Sequence, residues 1–268
     1  MRGASADSLH RAQQRLDGKL EQGGGADLAG GLFSVAGVLG SSAQLRRTLT
    51  DPNLDGEAKV GLAQRLLDGK VSEATLDVIR GLVSSRWSSA RDLGDAMDDL
   101  GVRARIAQAD AEGSLDEVED QVFRFSRILA GDARLYAAFT DRAASEQARA
   151  QLATTLIGDK ANPHAVALIE HAVRRPRGRL EEAMDRIGTV IAARRQRSVA
   201  IVSTPVDLDN LQRARLAQVL AHMYGREIQL KIDRDPGVVG GLRIQVGDEI
   251  IDGSVLSRLH RAERNVAG

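Results

Sequence analysis

Cysteine is absent from this 268-residue chain. Disulfides, thiolate nucleophiles and cysteine-type zinc sites are therefore excluded. Aromatic residues make up only 3%, so small and aliphatic side chains have to build the core. That composition favours packed helices over a deep aromatic ligand pocket. Neither sign of charge is in excess, because 37 lysines and arginines face 37 aspartates and glutamates. No global field draws the chain to nucleic acid or to an anionic membrane, although a local basic patch is still allowed. Long hydrophobic runs are missing too: nothing approaches the roughly 18 apolar residues of a membrane span. The opening residues, Met1 to Gln14, lack the apolar stretch of a secretory signal. Membrane association is expected only through partners, without direct insertion.

What is present is an apolar share of 43%, enough for a real core. The strongest pattern is an internal duplication. Residues 33–83 match 123–173 at a constant offset of 90. Phe33, Leu39 and Leu45 pair with Phe123, Leu129 and Leu135. Thr50 and Asp51 pair with Thr140 and Asp141, and Ile79 and Val83 with Ile169 and Val173. Further on, Ala96-Met97-Asp98 resembles Ala183-Met184-Asp185, where the offset has become 87. The matches read as helix grammar. Ala58, Leu62 and Leu66, like Ala148, Leu152 and Leu156, recur every four residues and give one apolar helix face. Asp55 and Ser145, then Ser72 and Asn162, stand where N-caps are needed, and Pro163 suits a first helical turn. Gly69 and Gly158 lie just past helix ends, where glycine accepts a left-handed backbone. Residues 91–112 and 179–197 read as longer closing helices, and Gly23 to Gly25 as a break between the first two helices.

From Ser198 the period changes. Ser198 to Thr204 is short, β-branched and stopped by Pro205, which predicts a strand. Leu208 to Tyr224 predicts a helix carrying Leu211, Leu216, Val219, Leu220 and Met223, ended by Gly225. Glu227 to Ile232 and Gly241 to Val246 alternate as strands do. Gly247 and Asp248 turn the chain into Glu249 to Ile251, and Ser254 opens a last helix. The expected fold is mainly α: two tandem N-terminal helical bundles, 1–110 and 111–198 (the second including a linking helix), then a small α/β domain, 199–268.

Candidate chemistry is sparse. Asp235 to Gly241 is glycine-rich, but it leads into a strand and lacks the Gly-Lys-Ser/Thr of a phosphate loop, so a backbone turn is expected. Gly240 and Gly241 would allow positive φ there. The histidines His10, His164, His171, His222 and His260 show no metal-ligand spacing. No carboxylate pair stands out for acid–base work, so no catalytic, metal or cofactor residue is nominated. Trp87, the only tryptophan, reads as a core or interface residue. Arg174 to Arg179, with Arg194, Arg195 and Arg197, is the one basic cluster. It supports an alternative reading, a helical nucleic-acid-binding protein using the Arg174–Arg197 region. Interleaved stacking aromatics are missing, however.

The block from Gly225 to Leu259, through Asp235-Pro236, Gly240-Gly241, Gly247-Asp248 and Asp252-Gly253-Ser254, resembles the C-terminal signature of bacterial F-type ATP synthase delta subunits. That family is related to the mitochondrial oligomycin-sensitivity-conferring protein, OSCP. The resemblance covers roughly residues 111–268, and the additional first bundle looks like the enlarged delta subunits of actinobacteria. It implies a non-catalytic, cofactor-free peripheral-stalk subunit, linking the catalytic head to the membrane sector during proton-driven ATP synthesis. The implied location is peripheral, on the cytoplasmic face of the cell membrane. The implied partners are the N-terminal segment of the alpha subunit and the b subunits. Candidate residues for an alpha-subunit groove are Leu152, Leu156, Val166, Ile169 and Val173. Candidate stalk contacts are Val255, Leu256 and Leu259.

Overall fold

Duplicated sequence produces duplicated helices. A computed structural model describes the chain except for residues 22–27, 142, 159–160, 175–178, 198, 225–227, 239, 248 and 254–268. The first half holds α1 (Ala4–Glu21), α2 (Leu28–Ser41), α3 (Ala43–Thr50), α4 (Gly56–Leu67), α5 (Glu73–Ser84) and α6 (Ala90–Ala111). The second copy holds α7 (Leu115–Gly131), α8 (Ala133–Thr140), α9 (Glu146–Ile157), α10 (Pro163–Arg174) and α11 (Leu180–Arg197). Adding 90 to the bounds of α3, α4 and α5 gives those of α8, α9 and α10.

The caps explain why the boundaries repeat. Ser42 accepts from the Leu45 amide, and its counterpart Asp132 from the Arg134 and Leu135 amides. Asp51 and Asp141 each leave a helix with extended backbone and accept from the amide two residues on, Asn53 and Ala143. Ser72 caps α5 and Ser145 caps α9. The Asn162 Oδ1 accepts from the His164 amide ahead of Pro163. Gly69 and Gly158 have φ of +69° and +84°, as the helix ends required. Asp55 departs from expectation: it sits at the N-cap of α4 but makes no side-chain capping bond. Gly23 to Gly25 lie outside the described residues.

Five buried positions of α6, Leu93, Ala96, Met97, Leu100 and Ala104, recur in α11 as Leu180, Ala183, Met184, Ile187 and Ile191. Their spacing is the offset of 87, so α6 starts about one turn earlier in its burial register. Helix α6 also has a second role. Moved by 90, α1 falls inside α6, and just as α1 packs on α5, α6 packs on α10. Asp99 and Val102 of α6 lie beside His171 and Ala172 of α10 and Ile187 of α11. One helix therefore closes the first copy and opens the second, and residues Met1–Val190 form one compact unit.

The core of the first copy is aliphatic, with Leu16, Leu28, Leu32, Leu39, Ile79, Leu82, Leu93 and Met97 fully buried. Trp87 belongs to it and donates its indole N–H to the Leu82 carbonyl at 2.8 Å. No single described helix is long and apolar enough to cross a membrane.

Residues Ile191–Gly268 form the second unit. Its strands are β1 (Val199–Thr204), β2 (Gln229–Arg234), β3 (Arg243–Val246) and β4 (Glu249–Asp252), with α12 (Asn210–Tyr224) between β1 and β2. The sheet order is β2-β1-β3-β4, with β1 and β2 parallel and the other pairs antiparallel. A parallel pair needs a crossover, and α12 supplies it. Ala200, Val202, Ile228, Ile244 and Val246 form the apolar layer, covered by Leu216, Leu220 and Tyr224 of α12. Asp209 and Gln212 start α12 reciprocally. The Gln212 amide donates to Asp209 Oδ1 at 2.7 Å, and the Asp209 amide to Gln212 Oε1 at 3.0 Å.

Candidate partner-docking surfaces

The repeated apolar stripe of α4 and α9 faces outward. Ala58 and Leu66 are exposed and Leu62 half-buried, while Lys59 and Ala63 take the buried side. In the second copy Ala148 and Leu156 are exposed and Leu152 half-buried, with Ala150 and Ala153 buried. Of the other residues nominated for an alpha-subunit groove, Val166 is half-buried, and Ile169 and Val173 are fully buried in the body of the unit. Leu156 is therefore the exposed member of that set, with Leu152 and Val166 half-buried.

Between the two copies lies a cavity of about 320 Å³, lined by Phe33 of α2, Asp98 of α6, Glu146 of α9 and Glu170, His171 and Arg174 of α10. The Phe33 ring stacks on the His171 imidazole, centroids 3.8 Å apart. His171 Nε2 reaches Asp98 Oδ1 at 3.4 Å. Sequence reading paired Phe33 with Phe123 but gave no sign that a histidine of the next copy would cover it. The residues lie 138 positions apart, and no local period connects them.

Ionisable groups elsewhere have structural partners. Glu112 is held below the usual carboxylate range, first by its hydrogen bond to His164 at 2.9 Å. His164 is buried and its Nδ1 has no hydrogen-bond partner. Glu181 is also lowered, first by a backbone hydrogen bond, then by the Tyr136 hydroxyl at 3.0 Å and by Arg179. Arg179 is raised by the charge of Glu181. Among the described residues, no group of three or more His, Asp or Glu is placed to hold a metal ion. At the edges of the basic cluster, Arg174 pairs with Glu170 and Arg179 with Glu181. Its centre, residues 175–178, lies outside the described residues.

In the second unit, the glycine-rich segment is a tied turn. The Gly237 amide donates to Asp235 Oδ1 at 2.8 Å, and the Asp235 amide to the Thr204 carbonyl at 2.9 Å. Pro236 sits inside this turn, where its fixed φ suits the bend. Gly240, Gly241 and Gly247 have φ of +63°, +93° and +58°, conformations that favour glycine. Gly253, after Asp252 at the end of β4, donates to the Leu242 carbonyl at 2.9 Å. Asp248, Ser254, Val255, Leu256 and Leu259 lie outside the described residues. Beside this turn is an apolar groove of about 450 Å³, lined by Val206, Leu208, Leu216, Val219 and Leu242. Only part of the apolar set of α12 faces the sheet: Leu211, Val219 and Met223 are exposed, at 81%, 49% and 57%. The sequence named these residues as apolar, but a helix with apolar residues all round does not reveal which of them meet a partner.

A family model described as ATP synthase delta (OSCP) subunit matches residues 102–266. That match starts within α6 and takes in the second helical copy and the sheet unit. Curated relatives match along their whole length. ATP synthase subunit delta of Streptomyces griseus subsp. griseus is 44% identical over 271 residues, covering 100% of both chains. That of Streptomyces coelicolor is 43% identical, covering 100% of this chain and 98% of the relative. That of Kineococcus radiotolerans is 44% identical, covering 99% and 98%. The first helical copy is therefore part of these relatives too.

Proposed function

This chain belongs to the ATP synthase delta (OSCP) subunit family, and from that premise we propose how it grips its neighbours. It is a non-catalytic subunit of the peripheral stalk, the stator of the rotary complex that couples proton flow to ATP synthesis. It is peripheral to that membrane-bound complex, on our reading at its cytoplasmic face. The second helical copy holds the N-terminal helical segment of an alpha subunit, using the outward stripe of Leu152 and Leu156 together with the half-buried Val166. An amphipathic helix laid on such a stripe buries its own apolar face. The sheet unit meets the ends of the b subunits through its groove and the exposed Leu211, Val219 and Met223. The sequence from Ser254 onward, with Val255, Leu256 and Leu259, contributes to the same contact.

The observation that carries this reading is the family match over residues 102–266, to which the outward apolar stripes add a physical means of attachment. A stator needs stiff helices and tight interfaces, and no reacting group. Isothermal titration of the full chain with a synthetic alpha-subunit N-terminal peptide tests it. Leu156→Asp should weaken binding at least tenfold, while Leu66→Asp, its repeat counterpart, should not. The reverse result would move alpha docking to the first copy. Loss in neither variant would remove the stripes from the interface altogether.

A further inference from the structure

Five helices of copy one contribute apolar residues to the wall of one cavity. Val35 of α2, Leu49 of α3, Ala63 of α4, Ile79 of α5 and Met97 of α6 line a space of about 190 Å³, and all five are buried. Two polar residues also line it, Ser34 and Lys70, and both are exposed, so they stand at its rim. The Lys70 ammonium is turned to the Leu66 carbonyl, to which it donates at 2.9 Å. Val38 and Leu66 are lining residues with 49% and 40% exposure, so the cavity reaches the surface.

Copy two shows what this space accepts. Leu39, Leu45, Ala63 and Ile79 of the lining are matched there by identical residues, Leu129, Leu135, Ala153 and Ile169. Val35 and Leu49 are matched by Phe125 and Phe139, which are buried and meet edge to face with centroids 5.6 Å apart. Copy one thus keeps surroundings that suit an aromatic pair while smaller aliphatic side chains stand in place of the rings. The buried part of the lining carries no hydroxyl, amide or charge. A buried water needs about two to four polar partners, and an apolar cavity of roughly 150 Å³ is large enough to take up benzene.

The geometry points to a binding site in copy one for a small uncharged aromatic molecule of one ring, seated against Val35 and Leu49 where copy two carries its own phenyl groups. The ring enters past Val38 and Leu66 and gains dispersion contact with side chains of all five helices. A charged or strongly polar molecule does not fit, because its polar group would give up water without finding a partner among the buried lining residues. A ligand held by the folded chain alone stabilises it by mass action. The inference depends neither on the stalk role nor on which copy holds the alpha subunit.

Toluene is the probe, added to the full chain. At about ten times its dissociation constant it should raise the melting temperature by about 3 °C. Nuclear Overhauser contacts from toluene should reach the methyl groups of Val35, Leu49 and Ile79, and not Ile169, the counterpart of Ile79. Val35→Phe with Leu49→Phe should abolish both the thermal shift and these contacts. If the double variant does not fold, the contact map of the unsubstituted chain still decides the site. No thermal shift at saturating toluene overturns the proposal, as do contacts confined to exposed residues such as Leu211 and Val219. Undiminished binding by a folded double variant overturns it too. Benzoate binding as tightly as toluene would contradict the apolar chemistry. Toluene that reaches the free chain but is excluded from the assembled ATP synthase would show that a protein segment is the occupant, and would equally overturn the small-molecule reading.

Discussion

Arg149 holds the end of the helix that carries Val173. Its Nε donates to the Val173 carbonyl at 3.0 Å and its Nη2 to the Arg174 carbonyl at 2.7 Å. Its Nη1 donates to the carbonyls of Asp141 and Ala144, each at 3.1 Å. One guanidinium thus satisfies two terminal carbonyls of α10 and ties the loop before α9 to them. Lys59 occupies this place in copy one and is buried, but an ammonium cannot fork in the same way. Arg149→Ala should cost about 2 kcal/mol, the scale of hydrogen bonds made by a charged group. Arg149→Lys should recover part of that loss. Urea unfolding of the two variants decides it, and equal midpoints for Arg149→Ala and the parent chain would show that the clamp carries no weight.

Among the differences between the two cores is one that exchanges aliphatic for aromatic side chains at a matched pair of positions. Phe125 and Phe139 meet edge to face in copy two, centroids 5.6 Å apart. Copy one has Val35 and Leu49 there, and they line a cavity of about 190 Å³ together with Leu39, Leu45, Ala63 and Leu66. Smaller side chains leave space that the aromatic pair fills. Val35→Phe with Leu49→Phe should therefore raise the melting temperature by a few degrees, about 1 kcal/mol in a unit of this size. A lower melting temperature for the double variant would mean that the surrounding helices cannot accept the aromatic pair.

Local rules carried most of the fold. Caps at Ser72 and Ser145, and left-handed glycines at 69 and 158, could be placed because each depends on a few neighbouring residues. The strands from Val199 to Asp252 followed from alternation and turn chemistry in the same way. Direction was harder to read. The stripe Ala58, Leu62, Leu66 has the spacing of a core face, yet the buried side of α4 holds Lys59 and Ala63. A lysine can bury its stem and an alanine is small, so neither announces itself as core. The sharing of α6 between copies was hidden because one helix has to satisfy two burial patterns at once. The offset of 87 recorded its fit to copy one, while its fit to copy two shows only when α1 is laid over it.

Acid should weaken the contact between α8 and α11. Glu181 accepts from the Tyr136 hydroxyl and faces Arg179, and these groups with a backbone hydrogen bond keep it ionised below the usual carboxylate range. A carboxylate lowered in the folded state stabilises the fold fully where it is ionised in both states, above about pH 5. That contribution is lost as pH falls through the folded value. The melting-temperature gap between the parent chain and Glu181→Gln should thus be largest near neutral pH and close towards acid. Glu112, lowered first by its hydrogen bond to His164, should behave alike in Glu112→Gln. A gap that widened towards acid would contradict the direction of both shifts.

Matched glycines should respond in opposite directions to the same substitution. Alanine is favoured over glycine inside a helix by roughly 0.5–1 kcal/mol, so Gly188→Ala, with open space at its Cβ, should stabilise the chain slightly. Gly101→Ala gains the same helical term but meets the Phe33 ring at 2.5 Å, well inside contact distance. To relieve the clash the ring has to leave its place between Gly101 and His171, exposing apolar surface where the two copies join. Gly101→Ala should therefore lower the melting temperature, and Phe33→Ala should remove the penalty, leaving Gly101→Ala neutral or favourable in that background. This double-mutant cycle separates the steric term from helix propensity. If Gly101→Ala stabilised the parent chain as Gly188→Ala does, the ring would not be pinned by α6, and the junction would owe its stability to other contacts.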